Sequence, residues 1–235
     1  MGRMKLLAID TTEAACSAAL LIDDQVSERF DIVPRRHSEL ILPMIDGLLG
    51  EAGLKPQDLD ALAFARGPGS FTGVRIATAV IQGIATAAEL PVVPVSSLLA
   101  LAQGAARTQG VGQILAGLDA RMNEVYWAAC RTDENGLAGL VSGEQVCAPE
   151  RVPLPEDDAW YGVGSAWEGY PDLLSAILGD RVAKTDAQAM VHAQDVARLA
   201  AAEFLAGNAV SAGQALPVYL RDQVAQKMAR PASPT

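Results

Sequence analysis

The sequence predicts an α/β fold assembled from two related halves, and three observations carry that reading. The opening segment reads as three strands joined by tight links. Strand–helix alternation follows it, which points to a layered α/β architecture and not to a sandwich. A strand–Asp–turn–strand pattern that ends its first strand at Asp10 returns at Asp119, an echo of internal duplication.

Residues 5–9 form the first strand, which runs into Asp10-Thr11-Thr12. Residues 16–22 return after a short turn, and Asp23-Asp24 leads to a third strand over 26–33, completing an antiparallel meander. A helix is expected over 38–51, with Gly53 as its stop signal. Its apolar stripe is wide: Leu40, Ile41, Met44, Ile45, Leu48 and Leu49. Residues 61–65 are a short buried strand that enters the glycine-rich turn Arg66-Gly67-Pro68-Gly69-Ser70-Phe71-Thr72-Gly73-Val74-Arg75. The helix that follows, over 73–89, is apolar nearly all round. Val74, Ala77, Ile81, Ile84 and Ala88 cover one face, and Ile76, Val80, Gly83 and Ala87 much of the other. Such a helix is buried on two sides, one against its sheet and one against a neighbouring helix or another protein. A strand over 92–95 and a helix over 97–106 close the first half.

The second half begins with a strand over 113–118 ending at Asp119, linked by Ala120-Arg121-Met122-Asn123 to a strand over 124–131. Beyond it lie a proline-rich connection over 149–155, helices near 167–178 and 189–206, and a tail over 229–235 with the composition of a disordered end.

Composition narrows the function. The chain has 235 residues, half of them hydrophobic, with scarce aromatics and abundant alanine suited to helices lying close on sheets. Its 18 basic and 28 acidic residues give a formal charge of −10, which repels a nucleic-acid backbone. Binding RNA without a basic partner is therefore not expected. Cys16, Cys130 and Cys147 form no CxxC pair and read as small apolar residues in a reducing compartment. The apolar run 6–9 stops at Asp10, so no secretory signal is expected, and no stretch reads as a bilayer span. The expected location is the cytoplasm.

Candidate chemistry is sparse. The glycine turn places exposed amides at a helix start, which suits a phosphate or carboxylate, and Ser70 or Thr72 can cap the helix. It equally suits a tight packing corner. It is not a Walker loop, since Val74 stands where the lysine would be. Asp10, Thr11 and Thr12 with Gly67, Gly69 and Thr72 form the candidate nucleotide or anion set. The only histidines, His37 and His192, lie far apart, with no metal-binding spacing and no cysteine cluster. No nucleophile elbow is present, because Gly69-Ser70-Phe71-Thr72-Gly73 does not centre its serine. His37 reads as a capping or interface residue. No catalytic residue and no metal site is assigned.

These residues carry a resemblance. Leu7-Ala8-Ile9-Asp10-Thr11-Thr12, His37-Ser38-Glu39-Leu40-Ile41-Leu42-Pro43, the glycine turn, Pro94-Val95-Ser96-Ser97-Leu98, Asp119-Ala120-Arg121-Met122-Asn123-Glu124-Val125-Tyr126 and Pro217-Val218-Tyr219-Leu220-Arg221 together resemble the bacterial TsaB (YeaZ) family. The resemblance implies an actin, sugar kinase and Hsp70-like (ASKHA) duplicated fold, with two lobes each built on a mixed sheet with flanking helices. It places the first lobe at 1–108, a smaller second lobe at 109–228 and the tail at 229–235. It also implies a part in making tRNA threonylcarbamoyladenosine, as the non-catalytic partner of the transferase TsaD, together with the ATPase TsaE. TsaD carries a His-x-x-x-His metal pair after a short strand. Aligned on residues 92–95, Ser97 and Leu101 take those two places, and leucine cannot ligate a metal.

The resemblance further implies a partner interface on the two apolar helices. Its members are His37, Ile41, Met44, Ile45, Leu48 and Leu49 on one helix and Val74, Ala77, Val80, Ile81 and Ile84 on the other. A charge at Ala77 or Leu48 is then expected to block binding while leaving a folded monomer. The free chain is expected to pair with itself through the same patch, and tRNA to be met only within the complex. No intrinsic cofactor is implied, with ATP or ADP at the complex interface left open. The rival reading is an ATP-dependent phosphotransferase of the same fold using Asp10 and the glycine turn.

Overall fold

The computed structural model describes residues 4–153, 156 and 159–221, so the tail over 229–235 lies outside the described residues. The first lobe opens with the meander β1 (Lys5–Asp10), β2 (Ala15–Ile22) and β3 (Gln25–Ile32). Helix α1 (His37–Ala52), β4 (Ala61–Ala65), α2 (Phe71–Ala88), β5 (Val92–Val95) and α3 (Ser97–Gln109) follow. The strands form a five-stranded sheet in the order β3-β2-β1-β4-β5. The meander strands are antiparallel, and β4 and β5 run parallel to β1 and to each other.

The second lobe contains β6 (Gln113–Arg121), β7 (Glu124–Thr132), β8 (Ala138–Leu140), β9 (Gln145–Cys147), β10 (Trp160–Val163), the short α4 (Ala166–Gly169), α5 (Pro171–Leu178), β11 (Val182–Asp186) and α6 (Ala193–Leu205). Its sheet is ordered β11-β10-β6-β7-β8, with β9 also paired to β7. Reversed, that is the first sheet again. β6 and β7 are antiparallel like β1 and β2, and β10 and β11 are parallel additions like β4 and β5. The duplication echoed weakly at Asp119 is therefore a duplication of topology, and the fold is the expected pair of mixed sheets with flanking helices.

Five layers result, because each central strand buries both faces. In β1, Leu7 and Ile9 point to a core shared with α1 and α2, whereas Leu6 and Ala8 point to a core shared with α3 and α6. Between the sheets, α6 packs on β1, β2, β4 and β5 of the first lobe, while α3 packs on β6, β7 and β8 of the second. The lobes thus exchange helices. Ala8, Ala63, Ala100, Ala116, Ala197 and Ala200 line this central layer and let helix and sheet approach closely. Arg107 of α3 forks onto the fully buried Asp195 of α6 at 2.8 and 2.9 Å, which fastens the two helices. Beyond the second sheet, Trp127, Trp160, Trp167, Leu174 and Leu178 make the third core.

Several boundaries differ from expectation for physical reasons. The helix expected over 167–178 is two helices, because Pro171 cannot donate within a helix and starts a new one at its first position. The helix expected over 189–206 begins only at Ala193. The strands β8 to β11 were not anticipated: they are three to five residues long, too short for periodicity to register. Cys16 and Cys130 are buried, Cys147 is half-buried, and all three are free.

Candidate partner surface and the glycine turn

The glycine turn is a packing corner. Ser70 is the cap of α2, its Oγ accepting from the Gly73 backbone N–H at 3.3 Å, and Thr72 sits exposed in the first turn. The Ser70 backbone N–H donates to the Thr12 carbonyl at 2.7 Å, and Thr11 Oγ1 donates to the Gly73 carbonyl at 2.7 Å. A Cβ on Gly69 would collide with the Thr12 backbone, and one on Gly73 with the Thr11 carbonyl oxygen. Close approach of two backbones, more than freedom of φ, is what these two glycines supply. Among the glycines of this turn only Gly67 adopts a positive φ, of 100°. The structure therefore brings Asp10, Thr11, Thr12, Gly69 and Gly73 together, but it fills the space between them. Of the amides offered to an anion by the sequence pattern, that of Ser70 is spent on the Thr12 carbonyl of the β1–β2 turn and that of Gly73 on the Ser70 side chain.

Asp10 lies fully buried at the end of β1. Its Oδ1 accepts from the Thr12 backbone N–H at 3.1 Å and from Thr12 Oγ1 at 2.6 Å. Burial pushes its carboxyl up to about 7, against the pull of those two hydrogen bonds. Glu13 in the same turn is also raised to about 7 by burial.

The two helices expected to meet a partner pack side by side on the first sheet, and burial corrects which of their residues are free. His37, Ile41, Ile45, Leu48 and Leu49 of α1 and Val74, Ala77 and Ile81 of α2 are buried within the chain. His37 caps nothing by its side chain; its Nε2 donates to the Ala15 carbonyl at 3.1 Å. These eight side chains belong to the lobe's own core and cannot touch a partner without unfolding it. On α1 the expected interface coincides with the densest apolar stripe and on α2 it mixes both faces, and its buried members are the ones that the sheet requires. Ala77 and Leu48, at 0% and 3% exposure, are for the same reason the wrong places for a charge that spares the fold.

Of the expected set, Met44, Val80 and Ile84 keep part of their surface. Around them the structure exposes Leu42, Phe71, Ala79, Gly83 and Ala87, with Ile76 half-buried. By length and composition α2 would cross a bilayer, with 18 residues at a mean hydropathy of 1.3, contrary to the expectation that no stretch would qualify. Its Val74–Ala77–Ile81–Ala85 stripe is nevertheless locked into the sheet, and only 33% of the stretch is buried. An unusually apolar outer face is what remains.

That face continues onto the C-terminal segment. Gln82 Nε2 donates to the Ala215 carbonyl at 3.0 Å, and the Val218 backbone N–H donates to the Arg66 carbonyl at 2.9 Å. Arg75 Nε donates to Tyr219 Oη at 3.0 Å while its guanidinium carbon lies 3.7 Å over the Phe71 ring. Phe71 and Tyr219 are 53% and 44% exposed. Neither ring was singled out in the sequence, although both lie inside its motifs.

The family sequence model described as "TsaD: tRNA N6-adenosine threonylcarbamoyltransferase" matches residues 30–229. The tRNA threonylcarbamoyladenosine biosynthesis protein TsaB of Escherichia coli is 43% identical over 95% of this chain and 97% of its own length. Its namesake from Haemophilus influenzae is 39% identical over 97% and 98%. Among solved structures, YeaZ from Pseudomonas aeruginosa superposes with a TM-score of 0.87 at 44% identity, covering 92% of this chain and all of the other. Motifs, duplicated sheets and relatives matched from end to end agree, and the chain belongs to the TsaB (YeaZ) family of tRNA threonylcarbamoyladenosine biosynthesis proteins.

Proposed function

We propose that this protein is the non-catalytic partner of a TsaD-type threonylcarbamoyltransferase, which it binds and activates in the cytoplasm together with a TsaE-type ATPase. The observation that carries the reading is α2, an apolar helix whose core stripe is fully used and whose outer face, with Leu42 of α1, leaves Phe71 exposed and Ile76, Val80 and Ile84 half-covered. Exposed Ala79, Gly83 and Ala87 along it allow a partner helix to lie close. The free chain covers this face with a second copy, so that self-association and the complex exclude each other.

Two further observations support a non-catalytic role. Ser97 and Leu101, at the places of the transferase's histidines, are shut inside α3 against the central core. The glycine turn is filled by the β1–β2 turn, which argues against the phosphotransferase reading. A nucleotide at the interface would need its phosphates held by partner groups. The charge of −10 leaves tRNA to be gripped by the rest of the complex.

The test is threonylcarbamoyl transfer in a mixture of TsaD, TsaE, the enzyme that makes threonylcarbamoyl-AMP, ATP and unmodified tRNA. Product should collapse when this chain is left out, and again when Val80→Asp replaces it. That variant should keep the circular dichroism and melting point of the parent, because Val80 is only half-buried. Equal product without the chain overturns the reading.

A further inference from the structure

We infer, resting on the reading of α2 as the partner helix, that Arg75 is the charged anchor of that surface and receives a side-chain carboxylate from the TsaD-type partner. Arg75 is the only charged residue among the 18 of α2. It is exposed and makes no ion pair among the described residues. By contrast, Arg29, Arg36, Arg66, Arg107, Arg121 and Arg221 each pair with a carboxylate of this chain.

The guanidinium is set in place before any partner arrives. Its carbon lies 3.7 Å over the Phe71 ring, and Nε donates to Tyr219 Oη at 3.0 Å. The two rings, 5.6 Å apart, hold the side chain from two sides. Nε is thereby used, while Nη1 and Nη2 make no hydrogen bond among the described residues. Those two nitrogens form an end-on pair of donors that matches the two oxygens of a carboxylate. Tyr219 Oη accepts from Nε, so its own hydrogen is left to donate to the same group. An arginine already ordered by stacking loses less side-chain freedom on binding than a free one.

Placement on the helix directs the carboxylate to it. Phe71, Arg75, Ala79, Gly83 and Ala87 recur every four residues and share one ridge of α2. Over the last three the ridge is low, which leaves room for a partner helix. At Arg75 and Phe71 it rises again, so a helix lying along the low stretch ends against them. The surroundings there are apolar, with Ile76, Val80 and Leu42 close on the same face. A guanidinium cut off from water in such a patch needs an opposite charge, because an unpaired buried cation opposes the contact.

The experiment measures the dissociation constant between the full chain and full-length TsaD by titration calorimetry, with circular dichroism and melting as folding controls. Arg75→Ala should weaken binding about thirtyfold, as loss of an interface anchor does. Arg75→Lys should recover little, because an ammonium has no fork and does not lie flat on Phe71. Tyr219→Phe should weaken binding severalfold. All three should fold like the parent, since both side chains are exposed. Alanine scanning of the Asp and Glu residues of TsaD should find one whose loss has no further effect once Arg75 is alanine. Val80→Asp separates this anchor from the reading it rests on. If Val80→Asp abolishes binding while Arg75→Ala binds like the parent, α2 stays the partner helix and the anchor is overturned. Full binding by Arg75→Lys, or a loss at Arg75 that couples to no carboxylate of TsaD, overturns it as well. Failure of the parent to bind TsaD overturns the partner reading itself, and the anchor with it.

Discussion

At the end of β1 the chain seals Asp10, Thr11 and Thr12 beneath the glycine turn, with no exposure at any of the three. At the end of β6, the same place in the second lobe, Asp119 stays partly open, pairs with the exposed Arg121, and leads through Ala120 into three residues in the left-handed region, Arg121, Met122 and Asn123. The helices differ in parallel. Between β3 and β4 the first lobe inserts α1, whereas between β8 and β10 the described residues of the second hold β9 and a short 3-10 turn. One topology thus serves two ends. The first lobe stiffens its turn and builds two outer helices, and the second spends its aromatic residues on a private core of Trp127, Trp160 and Trp167. The lesson is that duplicated scaffolds diverge at turns and outer helices first, since the paired strands are bound by register on both sides.

The sharpest way to break this comparison is a charge on the sealed side of α1 or α2. Ala77→Arg or Leu48→Asp should cost about 4 kcal/mol or more, because a buried unpaired charge has no partner and no room. Urea unfolding should find either variant largely unfolded in dilute buffer. A stable monomer would mean that α1 and α2 are less tightly docked than their burial indicates.

The paired glycines come next. Gly73→Ala drives a methyl into the Thr11 carbonyl oxygen, a backbone atom that cannot yield without moving β1, and should cost about 3 kcal/mol. Gly117→Ala in β6 meets the side chains of Trp127 and Ala166 at 2.9 Å. Trp127 and Ala166 are buried and yield only by repacking, so about 1–3 kcal/mol is expected. Equal losses on thermal melting would show that the second sheet absorbs a side-chain clash no better than the first turn absorbs a backbone one.

Arg221 tests how the open turn is held. It reaches from the C-terminal segment to the carbonyls of Ala120 and Arg121, at 3.2 and 3.4 Å, and pairs with Glu124. Arg221→Ala should cost about 1–2 kcal/mol and raise exchange at residues 121–123 while leaving the β1–β2 turn untouched. A uniform rise in both turns would show that the segment supports the whole molecule and not this turn.

How much of this was legible in the sequence follows from length and contact distance. The first lobe was readable because β1, β2, β4, α1 and α2 are long or uniformly apolar. In the second, the strands were readable only to β7, since β8 to β11 have three to five residues, while its later helices were expected with shifted bounds. Pro171 divides the helix expected over 167–178 into two, because a proline opens a helix more readily than it continues one. On α1 and α2 the period showed that two faces were apolar but not which faced the sheet; the densest stripe is the one a core selects. The pairing of Arg75 with Tyr219 gave no signal at all. Its two members lie 144 residues apart, and no local pattern reports such a meeting.

Gly83 gives the smallest and most discriminating prediction. It lies in the middle of α2, exposed, with nothing within 4 Å of a Cβ built on it. As a helix-interior glycine it weakens the free fold, so Gly83→Ala should stabilise the chain by about 0.5–1 kcal/mol. If the outer face of α2 receives a partner helix closely, the same methyl should weaken assembly with TsaD severalfold, and a larger residue more so. Folding and binding then move in opposite directions at one atom, which no purely structural role for the glycine produces. A variant that melts higher and binds equally well would show that the partner approaches α2 elsewhere, along the Phe71–Tyr219 end.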